Sequence, residues 1–181
     1  ILFFGLLAIV VPNCNFFFIS KQVLTKILKK CFGLLQNGRC PTGKNGNLAI
    51  RITIMQNILI TGAGRSSSVL IKYLLDYATG RKLTITVGDF SIESASLKTG
   101  KHPNSRPIEF DVNNADLRSA EVAKADVVIS LLPPHLHQVL AEECLKQSKH
   151  FITASYLTPA MKALHAKARQ KNVLFLNECG L

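Results

Sequence analysis

Ile58-Leu59-Ile60-Thr61-Gly62-Ala63-Gly64-Arg65-Ser66-Ser67-Ser68 is the stretch that decides the fold. An apolar, β-branched run ends in two closely spaced glycines, and a helix-like segment follows at once. That order predicts a strand, a tight turn and a helix N-terminus, the arrangement that holds a dinucleotide pyrophosphate. Gly62 lets the chain turn sharply. Gly64, lacking a Cβ, lets backbone N–H groups approach phosphates. Ser67 stands where the third glycine of G-x-G-x-x-G is usual, so the motif needs its context to carry weight.

The context is a regular alternation. Residues 57–61 read as a strand buried on both faces. A helix is expected over 66–78, with Val69, Leu70, Tyr73, Leu74 and Tyr77 on its apolar face and Gly80 to end it. Strands follow over 83–87, 107–112, 126–132, 151–153 and 173–176. Helices fall between them over 92–99, 115–123, 135–147 and 159–171, the second of these capped by Asn113 or Asn114. Six strands alternating with five helices imply an α/β, doubly wound parallel sheet of the Rossmann type, in the order 3-2-1-4-5-6.

Charge and cysteine use narrow the class. The net charge is +11, but residues 1–54 contribute +7 with no acid among them, and residues 55–181 only +4. The periodic part has no cluster of basic side chains interleaved with aromatics, which argues against nucleic acid. Cys14, Cys31, Cys40, Cys144 and Cys179 form no C-x-x-C and no zinc spacing, so no metal is expected. Free thiols in a reducing cytoplasm fit them best. The apolar runs before residue 20 are broken at Pro12-Asn13 and fall short of a bilayer span, so a membrane role is disfavoured. Residues 1–54 lack sustained periodicity, whereas Met55 sits two residues before the first strand. The expectation is a non-native or disordered extension over 1–54 and a dinucleotide-binding domain over 55–181.

Candidate site residues lie at strand ends. Asp89 ends the second strand, where a carboxylate accepts the adenosine ribose hydroxyls and repels a 2′-phosphate, favouring NAD. Arg65 and Lys98 are nearby cations that keep NADP open. Asp111 and Val112 close the third strand, where an acid reaches an adenine amino group and an apolar neighbour packs on the ring. A plain turn is the competing reading. Leu131, Leu132, Pro133 and Pro134 close the fourth strand across the crevice, over the pyrophosphate and nicotinamide ribose. His135 and His137 follow; each is either an acid–base group or, as the plainer reading, a solvated or helix-capping histidine. Ser155 and Tyr156 close the fifth strand. Ala160, not Lys, lies four residues after Tyr156, which argues against Tyr-x-x-x-Lys chemistry.

These residues together resemble the glutamate-forming saccharopine dehydrogenases, also called saccharopine reductases. The matching blocks are Gly62-Ala63-Gly64, Asp111-Val112, Val128 to Pro133 with His137, Thr153 to Ala160, and Asn177-Glu178-Cys179-Gly180-Leu181. The resemblance covers residues 55–181, and the chain looks truncated before the family's substrate domain. It implies an NAD(P)-dependent oxidoreductase of lysine metabolism. A secondary amine carbon gives hydride to the nicotinamide, and the imine is hydrolysed to glutamate and aminoadipate semialdehyde, or the reverse. It places cofactor contacts on Arg65, Ser66, Ser67, Asp89, Phe90, Asp111, Val112 and Leu131 to Pro134, and substrate contacts on Ser155 and Tyr156. It assigns no catalytic acid or base within the chain. NADP-using members carry a non-acidic residue followed by Arg at the positions of Asp89-Phe90, which again favours NAD. The expected partner is a small amino-acid substrate, with a homodimer of the full-length protein left open. A related imine-reducing dehydrogenase of the carboxynorspermidine type, and a non-catalytic NAD-binding domain, are the alternatives. If 55 is the true start, mass spectrometry of the native protein finds no N-terminal peptide upstream of Met55; detecting one refutes that start.

Overall fold

The structure is a computed structural model and describes residues 56–178. Residues 1–55, with Cys14, Cys31 and Cys40, and the terminal Cys179, Gly180 and Leu181 lie outside the described residues. Strand β1 (Gln56–Thr61) leads through a 3-10 turn (Arg65–Ser67) into helix α1 (Ser68–Ala78). Strand β2 (Leu83–Asp89), helix α2 (Ile92–Thr99), strand β3 (Ser105–Glu109) and helix α3 (Ala115–Lys124) follow. Strand β4 (Val127–Ser130) passes through a second 3-10 turn (Pro134–Leu136) into helix α4 (His137–Lys146). Strand β5 (His150–Thr153), helices α5 (Pro159–Ala163) and α6 (His165–Gln170), and strand β6 (Phe175–Leu176) complete the order. All strand pairs are parallel, and the sheet runs β3-β2-β1-β4-β5-β6 as expected.

The two-residue period of the strands explains why both faces are covered. Ile58, Ile60, Val127, Ile129 and Ile152 pack on one face against Leu70, Ile71, Leu74 and Leu75 of α1. Leu59, Val128 and Phe151 pack on the other against Val122 of α3 and Leu140, Ala141 and Cys144 of α4. Burial raises the Cys144 thiol far above its ordinary range, so it stays protonated inside this core.

Three local expectations are corrected. The buried face of α1 is Leu70, Ile71, Leu74, Leu75 and Ala78, so the predicted stripe was one position out; Val69 is 62% exposed. The β-branched Ile71 and small Ala78 sit against the sheet, while Tyr73 and Tyr77 are partly buried at its margin. Strand β3 begins and ends earlier than predicted. It is an edge strand, so Pro107 lies within it, opposite Val87, without breaking an inner ladder. The last predicted helix is split at Leu164, whose N–H bonds back three residues to Met161. Asn114, one of two predicted caps, is the N-cap of α3 and accepts from the Leu117 N–H.

At the amino end of the sheet a cavity of about 220 Å³ is lined in part by Asn57, Thr86, Arg106, Glu121 and Lys124. Burial pushes the Glu121 carboxyl up, but hydrogen bonds from Arg106 and Lys124 outweigh it and hold the group below its usual range. This cavity is at the opposite end from the predicted site residues.

The loop after β1 is the tightest point of the fold. Gly62 has φ +99, and a Cβ there would lie 2.9 Å from the Leu131 carbonyl oxygen. Gly64 has φ −66, and a Cβ there would meet nothing within 4 Å. Gly62→Ala is therefore expected to cost about 1–3 kcal/mol of stability. Gly64→Ala should stay within about 0.5 kcal/mol of the parent. Urea unfolding of the two variants checks this; equal losses would contradict the asymmetry.

Candidate functional site

The carboxyl ends of β3, β2, β1, β4 and β5 stand side by side, and the direction of winding reverses between β1 and β4. Open α/β sheets form their ligand crevice at such a point. Backbone bonds lock the centre. Gly62 N–H donates to the Gly88 carbonyl at 2.8 Å, and Leu131 N–H donates to the Thr61 carbonyl at 2.8 Å.

Asp89 holds the first loop from the side. Its Oδ2 accepts from the Ala63 N–H at 2.6 Å and its Oδ1 from the Ser91 N–H at 3.1 Å. A carboxylate offers roughly four acceptor positions, so two remain for ribose hydroxyls. Phe90, beside it, is 77% exposed. Lys98 Nζ donates to the Ser68 hydroxyl at 2.5 Å, which brings this cation from α2 to the first turn of α1.

Gly64, Arg65 and Ser66 are exposed at the start of that helix. The first N–H groups of a helix have no partner within it and suit an anion. Open space around the missing Gly64 Cβ leaves room for a pyrophosphate beside these groups, so the residues present fit a dinucleotide. Ser67, one of the cofactor contacts implied by the resemblance, turns its side chain inward. It is fully buried, and its Oγ donates to the Gly64 carbonyl at 2.7 Å. Its size still lets the helix approach the sheet, but its proton closes the turn.

The third-strand pair also separates. Because β3 ends at Glu109, alternation turns Phe110 and Val112 inward and Asp111 outward. Val112 is 4% exposed and packs in the core, so its side chain has no face left for an adenine ring. Asp111 is partly exposed, and its Oδ1 accepts from the Asn113 backbone and side-chain N–H groups. That bonding is the plain turn weighed against the adenine contact.

Past β4, Leu131 and Leu132 are half-buried, and Pro133 and Pro134 are exposed along the crevice rim. Ser155 is half-buried, and Tyr156 is 62% exposed. Neither is displaced into the core, so both remain at the β5 end. His135 is exposed, as a solvated histidine would be.

His137 is not solvated: its backbone N–H closes the 3-10 turn on the Pro134 carbonyl, and its ring turns inward. It is 4% exposed, with Nδ1 2.8 Å from Ser130 Oγ and Nε2 2.6 Å from Ser155 Oγ. The pairing of Ser130 with Thr153 at the ends of β4 and β5 prepares this polar pocket. Two small hydroxyl residues ending adjacent apolar strands were the sequence signal for it. Glu178 is a second residue that motif reading left without a role. Its N–H donates to the Ser155 carbonyl at 3.1 Å and its Oε1 accepts from the Leu157 N–H at 2.9 Å. Among the described residues no group of three His, Cys, Asp or Glu side chains gathers to hold a metal, and no helix is long and apolar enough to cross a membrane.

Burial, with the neighbouring His135 charge, lowers the His137 pKa from 6.5 to about 4. The unfolded chain therefore binds a proton near pH 6.5 that the fold refuses until about pH 4. This contribution to stability is complete above pH 6.5 and is lost as the pH falls toward 4. Burial shifts His150 in the same direction, against the pull of Asp126. Urea midpoints should fall across that window, and His137→Asn should flatten part of the slope. An equally steep slope in the variant would show that His137 is not its source.

A family model described as the saccharopine dehydrogenase NADP binding domain matches residues 58–176. Over 126 residues the chain is 35% identical to the saccharopine dehydrogenase (NADP(+), L-glutamate-forming) of Pyricularia oryzae, covering 70% of this chain and 27% of that protein. It is 34% identical over 127 residues to the mitochondrial alpha-aminoadipic semialdehyde synthase of Bos taurus, covering 70% of this chain and 13% of that one. The chain thus spans about a quarter or less of the length of these relatives. Among solved structures, apo saccharopine dehydrogenase (L-Glu forming) from Saccharomyces cerevisiae superposes with a TM-score of 0.62 at 24% identity, over 68% of this chain and 27% of that one. A biliverdin reductase from Synechocystis shares the fold at a TM-score of 0.51 and 21% identity, over 68% of this chain and 38% of that one. Since the matched residues run from β1 to the end of β6, the chain belongs to the saccharopine dehydrogenase NADP-binding-domain family.

Proposed function

We propose that this chain is the dinucleotide-binding part of an oxidoreductase acting on the secondary amine C–N bond of saccharopine, in lysine metabolism. The observation that carries the reading is the crevice itself. Gly64 leaves open space at a helix N-terminus, and the Asp89 carboxylate is fixed beside it by two backbone donors. The Arg65 and Ser66 N–H groups hold the pyrophosphate, and the two acceptor positions left on Asp89 take the adenosine ribose hydroxyls. Phe90 lies next along the rim for the adenosine. Leu131 to Pro134 form the opposite wall, and the two prolines limit its motion. When bound, the nicotinamide supplies a hydride acceptor for the amine carbon of saccharopine; water then releases glutamate and aminoadipate semialdehyde, or the sequence runs in reverse. Ser155 and Tyr156, at the next strand end, face the substrate.

NAD is the preferred dinucleotide in this reading, although the Pyricularia relative is named for NADP(+). A fixed negative charge at Asp89 stands where a 2′-phosphate would sit, and Lys98 is already bonded to Ser68. The compartment proposed is the cytoplasm, supported by cysteines without paired spacing.

Titration of the chain with NADH and NADPH, followed by nucleotide fluorescence, tests the site. NADH should bind more tightly, and Asp89→Ser should shift the ratio toward NADPH by roughly tenfold, since a hydrogen bond to a charged group is worth about 1.5–3 kcal/mol. An unchanged ratio would remove Asp89 from its role. Gly64→Ala should weaken both nucleotides while leaving the unfolding midpoint in place. The isolated chain, which spans 27% of the Pyricularia relative's length, should not oxidise saccharopine, and measurable turnover would contradict that expectation.

A further inference from the structure

The crevice wall at β5 contains a hydrogen-bond chain whose polarity can be worked out. His137 begins α4 and lies between two hydroxyls, Ser130 Oγ on Nδ1 and Ser155 Oγ on Nε2. A neutral imidazole carries one N–H and one lone pair, so two arrangements exist. In the first, Nδ1–H donates to Ser130, and Ser155 donates to Nε2. The Ser130 proton then needs another acceptor. Ser130 is fully buried, and among the described residues its Oγ has only the His137 ring as hydrogen-bond partner. A buried donor left unmade costs about 1–3 kcal/mol. In the second, Ser130 donates to Nδ1, and Nε2–H donates to Ser155. The Ser130 proton and the imidazole N–H are then both used, while Thr153 Oγ1, 3.5 Å from Nδ1 and 3.4 Å from Nε2, lies almost equally far from the two ring nitrogens and favours neither arrangement.

Only the second arrangement gives the buried Ser130 proton an acceptor, and it commits Ser155. The Ser155 oxygen accepts from the imidazole, so its own O–H is left to donate outward. The backbone around it is held on both sides. Its N–H donates to Thr153 Oγ1 at 3.2 Å, and its carbonyl accepts from Glu178. Glu178 sits at φ +58, a backbone conformation that costs a non-glycine residue energy and is kept here by its two bonds to this loop. We infer that His137 is a positioning residue which, as the Nε2–H tautomer, makes the Ser155 hydroxyl a fixed outward donor for a carboxylate of the bound substrate. The identity of that substrate rests on the functional reading above; the tautomer does not.

Two measurements separate the two. Long-range ¹H–¹⁵N correlation on the labelled 181-residue chain at neutral pH should show His137 with an unprotonated Nδ1 and a protonated Nε2. Ser155→Ala should leave that pattern unchanged, because Ser130 still fixes Nδ1. A protonated Nδ1 would overturn the inference whatever the substrate. In the holoenzyme, His137→Leu and Ser155→Ala should each raise KM for saccharopine roughly tenfold with a smaller change in kcat, and the double variant should be no worse than either. His137→Asn, which retains a donor, should recover part of the loss. Additive effects, or KM unchanged in variants that unfold at the parental midpoint, would also overturn it. An enzyme that binds NADH but does not turn over saccharopine would refute the functional reading, and the spectrum would still decide the tautomer.

Discussion

The rest of the structure depends on how closely the loop after β1 lies against the backbone leaving β4. Gly62 faces the Leu131 carbonyl at a distance that admits no side chain, and its N–H is bonded to Gly88 on the other flank. Three strand ends are thereby brought to one level. The first turn of α1 is delivered to the crevice, and Asp89 is placed where it can bond Ala63. Were this loop to move outward, the helix N-terminus, the fixed carboxylate and the wall beyond β4 would lose their common geometry together.

The two glycines of the motif therefore act on different levels. Gly62 serves the fold, because the protein itself fills the space around it. Gly64 leaves space that nothing of the protein fills, and the proposed dinucleotide contact rests on that opening. Surface ion pairs such as Lys72–Asp76, exposed on both sides, contribute only about 0–1 kcal/mol and set none of this arrangement. Buried apolar side chains such as Leu59, Ile60 and Phe151 each contribute about 1.5–3 kcal/mol and hold the sheet that carries the crevice.

The order of strands, and the strand ends on which the candidate residues fall, were legible in the residues, because period-two apolar runs and glycine turns are local signals. Asp89 was legible for the same reason, since it ends a strand. Val112 follows Phe110 by two residues, and the period of two turns both side chains to the core, a direction that its place near a strand end did not reveal. The α1 stripe was misjudged because Val69 and Ile71 are equally apolar; only packing on the sheet chooses between faces 100° apart. His137 was hidden for a deeper reason. Its partners come from two other strand ends, and no spacing along one chain segment reveals that three hydroxyl and imidazole groups meet. Ser67 stands where the motif usually has a glycine, but the direction of its hydroxyl is a tertiary fact.

Pro107 has a consequence beyond the register of β3. The outer side of that strand is one exposed margin of the sheet, and a long flat margin recruits other chains by strand addition. Here the margin is five residues long, and Arg106, Pro107 and Glu109 interrupt it with charge and a missing donor. At the opposite margin β6 has only two residues among those described. Among the described residues, neither margin offers a continuous ladder to a passing strand. The same chain that exposes an open crevice at the ends of its strands is thus guarded along its sides, so association through sheet extension is discouraged while the crevice stays accessible.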